Sequence, residues 1–204
     1  MNVKAEFLFD FGSPNAYLAH RVLPGIESRT GVRFVYVPAL LGGIFKATGN
    51  VSPAVSLQGI QNKGAYQGLE MRRFIARHGI DDFRHNPDFP VNTLKIMRGA
   101  IVAQREGFFE RYVDEVFRHM WSAPKKLDDP AVFRAALEES GIEAGVVLDG
   151  IQEPSIKAGL LANTEEAVAR GVFGSPSFFV GDEHFFGKDR LEEVEREIVA
   201  ALER

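Results

Sequence analysis

The sequence predicts an α/β fold in which a βαβ unit and a ββα unit bracket a large all-helical insertion. Three observations predict it. Residues 1–40 read strand, helix, strand, and two strands joined across a helix pair in parallel. From about Ser56 to Arg170 there is no convincing strand pattern, and helical spacing recurs between Gly and Pro punctuation. After Ser177 two short apolar runs and a terminal amphipathic helix follow. The 204 residues suit one unit. Its sheet-bearing part is expected from 1–55 and 165–204, with the helical insertion at 56–164.

Each element has its own signal. Ala5–Phe11 (AEFLFDF) is apolar and aromatic up to Gly12, as a buried strand is. Ala16–Ser28 carries Ala16, Leu18, Ala19, Val22, Leu23 and Ile26 at helical spacing, with Pro24 expected to kink or split it. Val32–Pro38 is the second strand. Helices are expected at Gln58–His78, Thr93–Arg105 and Phe108–Trp121, then from Ala131 to Glu139, from Ile142 onward, and over Ser155–Arg170. Ser177–Val180 and Glu183–Phe186 flank the tight-turn pair Gly181-Asp182, and Leu191–Leu202 closes the chain.

Composition limits the chemistry. The chain has no cysteine, so disulfides, thiolate metal ligands and a protein thiol nucleophile are excluded. Any sulfur chemistry must use a thiol brought by a small molecule. The net charge is −4 and the 24 basic residues are dispersed, which speaks against a nucleic-acid partner or a polybasic membrane segment. No apolar run approaches the roughly 18 residues of a membrane span. The first residues enter strand-like sequence without a basic region and a long apolar stretch, so no secretory signal is expected and the expected location is cytoplasmic. Seventeen Phe imply an aromatic interior or an apolar-walled cavity. The five His show no paired ligand spacing and no phosphate-loop motif occurs, so no metal is expected.

Several residues stand out for position. Ser13 before Pro14 is a plausible N-cap, at a helix start where open N–H groups favour negative charge. A nucleophilic serine would need an adjacent base, and the nearest histidine in sequence, His20, lies two turns along the helix. Asn50 follows Gly49 in a turn. Lys63, Tyr66, Glu70 and Arg73 share one helix face, ordinarily a solvated one. Ser175-Pro176 precedes a strand, and Asp189 sits where a helix cap is common.

The order βαβ then ββα, with helices between, resembles the thioredoxin-like fold of DsbA-type oxidoreductases. Their Cys-x-x-Cys position is occupied here by Ser13-Pro14-Asn15-Ala16. The stretches FDFGSPNAYLA (9–19), LLGGIFKATGN (40–50), Lys63 to Arg73, FPVNTLKIMRGA (89–100) and GVFGSPSFFVGDEHFFGKDRL (171–191) resemble the 2-hydroxychromene-2-carboxylate isomerases, relatives of kappa-class glutathione transferases. The resemblance implies a cytoplasmic homodimer that uses glutathione on a small aromatic oxo-acid, with Ser13 stabilising the glutathione thiolate. It implies glutathione contacts at Ser13, Asn15, Asn50, Ser175, Pro176, Lys188 and Asp189, a cis bond at Ser175-Pro176, and substrate contacts at Lys63 and Tyr66. Lys188 departs from the Asn, Gln or Ser expected there, and Phe186 stands where many relatives have Trp. A kappa-like transferase or peroxidase, or a non-catalytic glutathione-binding module, are the alternatives.

Overall fold

A computed structural model describes residues 3–204. Strand β1 (Ala5–Phe9) leads into helix α1 (Pro14–Thr30) and strand β2 (Phe34–Pro38). Helices α2 (Leu41–Thr48), α3 (Pro53–Ser56), α4 (Lys63–His78), α5 (Leu94–Glu106), α6 (Phe109–Trp121), α7 (Pro130–Glu139), α8 (Ala144–Gly150) and α9 (Pro154–Ala169) follow. Strands β3 (Ser177–Val180) and β4 (Glu183–Phe186), a 3-10 turn at Lys188–Arg190 and helix α10 (Leu191–Leu202) complete the chain. The sheet order is β2-β1-β3-β4. β1 pairs in parallel with β2, Ala5 opposite Phe34, and antiparallel with β3, Ala5 opposite Val180. β3 pairs antiparallel with β4. This is the DsbA-like thioredoxin arrangement.

β1 is buried along its whole length because it is central and covered on both faces. Its alternation divides the core. Phe7 and Phe9 join an aromatic column with Phe11, Phe117 and Phe178, in which Phe7 and Phe178 stack at 5.3 Å and Phe11 meets Phe117 edge-on at 4.8 Å. Leu8 points the other way, into a smaller cluster with Ala39, Ile44, Ala167 and Phe179. The phenylalanines thus weld the sheet to α6 of the helical block.

Several boundaries differ from the sequence expectation. β1 stops at Phe9, because the N–H of Asp10 turns to the Ser175 hydroxyl at 3.1 Å and the Asp10 carbonyl accepts from Ser13 N–H. β2 starts at Phe34, whose N–H is taken by the Glu27 carboxylate at 2.8 Å. α1 runs through Pro24 unbroken: Pro24 faces solvent while Leu23 and Ile26 stay buried, so core packing holds the helix across the missing hydrogen bond. α4 starts at Lys63 instead of Gln58, because Asn62 sits at φ 69°, outside the helical region. α2 was not expected. It forms where Leu40 N–H bonds the buried Thr164 hydroxyl and Ile44 enters the core. α9 continues unbroken across 164/165 and packs on α2, α5 and β2, so the proposed boundary between insertion and sheet falls inside a helix.

The closest approach in the helical block is at Gly99. A Cβ built there would lie 2.0 Å from the Tyr112 hydroxyl, which is fully buried and donates to the Ile96 carbonyl at 2.8 Å. Gly99→Ala gains up to about 1 kcal/mol of helix propensity but overpacks a rigid ring, at a typical cost of about 1–3 kcal/mol. Net destabilisation in a denaturant titration is expected; a variant as stable as the parent would show that α5 and α6 can slide apart without cost.

Candidate functional site

The site forms where β1 ends. Asp10 is completely buried, and its carboxylate gathers the surrounding segments. One oxygen accepts from Gly12 N–H at 2.8 Å; the other accepts from Leu41 N–H at 2.8 Å and from the Thr93 hydroxyl at 3.1 Å. Burial pushes its pKa up, against the pull of the Leu41 and Gly12 amides and the Thr93 hydroxyl. Gly12 is needed for this closeness, since a Cβ there would come within 2.9 Å of the Thr93 methyl. The indole of buried Trp121 donates to the Phe11 carbonyl at 2.7 Å and ties the same loop to α6.

On this frame sits Ser13, buried at the N-cap of α1 with extended backbone. Its Oγ accepts from Ala16 N–H at 3.2 Å and donates to the Ser175 carbonyl at 2.9 Å. Ser175-Pro176 is cis, as is Phe89-Pro90, which sequence reading did not raise. The start of α1 and the cis-proline loop therefore face each other through one hydroxyl. Asn15, at the second helical position, has a half-buried side chain with no hydrogen bond among the described residues, and its N–H has no helical carbonyl to meet.

The other expected residues are distributed unevenly. Asn50 donates to the Phe173 carbonyl at 2.8 Å and so braces the segment leading to Ser175, while its oxygen accepts from Val51 N–H. Lys188 is buried, pairs with the exposed carboxylate of Asp189, and lies 4.5 Å above the Phe74 ring of α4. The two charges expected to hold one ligand end thus hold each other. Lys63 and Tyr66 stand exposed on the first turns of α4, and among the described residues no hydrogen bond or ion pair links them to Ser13 or Ser175. Phe173 and Phe186, their rings 4.5 Å apart and both partly exposed, flank the cis-proline loop.

His20 does not serve Ser13. Its Nδ1 is 3.0 Å from the Tyr36 hydroxyl and its Nε2 is 3.2 Å from Asp114, so the ring is engaged elsewhere and Ser13 has no base beside it. Among the described residues no three His, Asp or Glu side chains gather as a metal site, and no helix is long and apolar enough to cross a membrane. Sequence reading missed Asp10 as the organiser of the loop. Its signal was an acid between Phe9 and Phe11, three residues before Ser13.

Comparison with known proteins agrees with this architecture. Residues 5–199 match the model of the DsbA-like thioredoxin domain. A 2-hydroxychromene-2-carboxylate isomerase of Sphingobium xenophagum is 27% identical over 195 residues, covering 96% of this chain and 97% of that one. Glutathione S-transferase kappa 1 of Homo sapiens is 27% identical over 205 residues, covering 92% and 87%. A solved 2-hydroxychromene-2-carboxylate isomerase superposes with a TM-score of 0.83 at 25% identity, covering 97% of this chain and 95% of that one. The DsbA of Pseudomonas aeruginosa, at 19% identity and TM-score 0.57 over 98% and 86% of the two chains, shares the fold. With that fold, a serine-headed α1 and relatives that are isomerases and glutathione transferases, the chain belongs to the DsbA-like thioredoxin family.

Proposed function

We propose that the protein is a cytoplasmic, homodimeric, glutathione-dependent isomerase that interconverts 2-hydroxychromene-2-carboxylate and trans-o-hydroxybenzylidenepyruvate, or a related aromatic oxo-acid. The observation that carries the reading is Ser13: a buried hydroxyl at a helix start, 2.9 Å from the carbonyl before the cis-proline, in a chain with no thiol of its own.

The donor set fits glutathione. Asn15 offers an amide without a partner among the described residues, the Ser175 backbone beside the cis-proline offers strand-like pairing to a peptide, and exposed Asp189 suits an ammonium group. Lys188 acts on Asp189 by holding its carboxylate in place. Glutathione supplies a thiolate whose reversible addition turns a substrate double bond into a rotatable single bond. Ser13 redirects its hydrogen from the Ser175 carbonyl to the sulfur, and the α1 N-terminus adds typically about 0.3–1 kcal/mol in favour of the anion. The helix start thereby keeps the sulfur deprotonated and aimed, while the rigid Asp10 frame holds the donor in position before substrate arrives.

The test is an absorbance assay on the chromene with and without glutathione. Turnover is expected only with glutathione, and turnover that ignores it would overturn the reading. The kappa-class relative, as similar in identity as the isomerase, makes a transferase the second reading. Conjugation of a chlorinated nitrobenzene in place of isomerisation would select it.

A further inference from the structure

A groove of about 520 Å³ lies between α2, α5 and α9, within the roughly 300–1,000 Å³ of small-molecule sites. Leu40, Leu94, Leu160 and Leu161 make its walls mostly apolar, and Leu161 is 57% exposed. Two cations also line it, Arg98 and Lys157. Both are half-buried, and among the described residues neither has a carboxylate within ion-pair distance. For Lys157 the reason is visible. Glu153, the N-cap of α9 four residues earlier, is held by the Arg105 guanidinium at 2.5 and 3.0 Å. Partly desolvated cations without counter-ions on an apolar wall are complementary to an anion with an apolar body.

The groove is linked to the site already described through its chain neighbours. Leu40 precedes Leu41 and Leu94 follows Thr93, and Leu41 and Thr93 both donate to Asp10 beneath the Ser13 loop. We infer that this groove is the substrate-carboxylate site: the aromatic ring packs on the leucines and the carboxylate is held by Arg98 and Lys157. The assignment rests on the isomerase reading above, and it moves the substrate cation from Lys63 on α4 to α5 and α9.

The test uses trans-cinnamate, an unreactive aromatic carboxylate, with its neutral amide as control, titrated into the full protein by calorimetry without glutathione. Cinnamate is expected to bind about tenfold or more tightly than the amide, equivalent to about 1.4 kcal/mol, and Arg98→Gln with Lys157→Gln is expected to remove that preference. In turnover the double variant raises KM for the oxo-acid with kcat and glutathione affinity little changed. Leu161→Glu, at an exposed position, keeps the test open if the double variant does not fold, because the added carboxylate repels the ligand. Absence of cinnamate binding, equal affinity in the variants, or conversion of a dimer to monomers without loss of a carboxylate preference would overturn the proposal. The two readings fail separately. Glutathione-dependent turnover with unchanged KM in the double variant sinks the groove alone; carboxylate binding that the variants abolish, with no glutathione-dependent turnover, sinks the isomerase reading and leaves an aromatic-carboxylate site.

Discussion

Ser13→Ala is expected to lower isomerase kcat by about 10²–10³-fold, the usual effect of removing one donor to a developing anion. Stability should fall far less. The hydroxyl caps α1 through Ala16 N–H, and losing such a cap costs about 0.5–2 kcal/mol. In a chain this size 1 kcal/mol shifts the Tm by about 2–4 °C, which calorimetry resolves. The same substitution should raise the pKa of bound glutathione toward that of a free thiol, about 8.5. Ultraviolet titration of the thiolate reads that change directly. A variant with full activity and an unshifted titration would reduce Ser13 to a helix cap.

The largest stability effect is expected at Asp10. Asp10→Ala leaves the partly buried N–H groups of Gly12 and Leu41 without this acceptor, at up to about 1–3 kcal/mol each, so up to about 2–6 kcal/mol is at stake. That approaches the whole stability of many domains, about 5–15 kcal/mol. Asp10→Asn is milder, but its amide must point at one of the two N–H donors whichever way it is turned, so it loses one acceptor. The two variants also separate charge from hydrogen bonding. Burial raises the folded-state pKa of Asp10 above the unfolded value near 3.9, so the folded state takes up the proton first as pH falls. The parent therefore gains stability, relative to Asp10→Asn, as pH drops through the folded pKa, and the gain is complete below the unfolded one. Urea titrations across the acid range check this. A parent–variant difference that stays flat with pH would mean that Asp10 does not titrate above its unfolded value.

The elements that carry the site were readable wherever a local rule operated. Gly31, Gly79 and Gly107 end their helices in the left-handed region, as glycine after a periodic run implies. Ser13-Pro14 starts α1 by capping chemistry confined to a few residues. Where distant segments meet, local rules were silent. α2 depends on Asp10 and Thr164 for its first N–H groups, 31 and 124 residues away. Pro24 was expected to kink or split a helix that burial of Leu23 and Ile26 keeps in one piece. Spacing alone reads the face of Lys63 and Tyr66 as an ordinarily solvated one, and α4, which buries Phe74, leaves both side chains exposed.

By itself the sequence determined the absence of a protein thiol and the serine at the head of α1, both of which are matters of residue identity. It also determined the apolar and aromatic run that makes β1 a buried strand. Only the tertiary structure decided what surrounds that serine. The acceptor of its hydroxyl is a carbonyl 162 residues away. The anchor of its loop is a buried acid whose partners come from four parts of the chain, and Lys188, paired with Asp189, lies over the ring of Phe74 on α4. Hydrogen-bond satisfaction in a dry interior is a property of all the groups that meet there, and no window of neighbouring residues contains it.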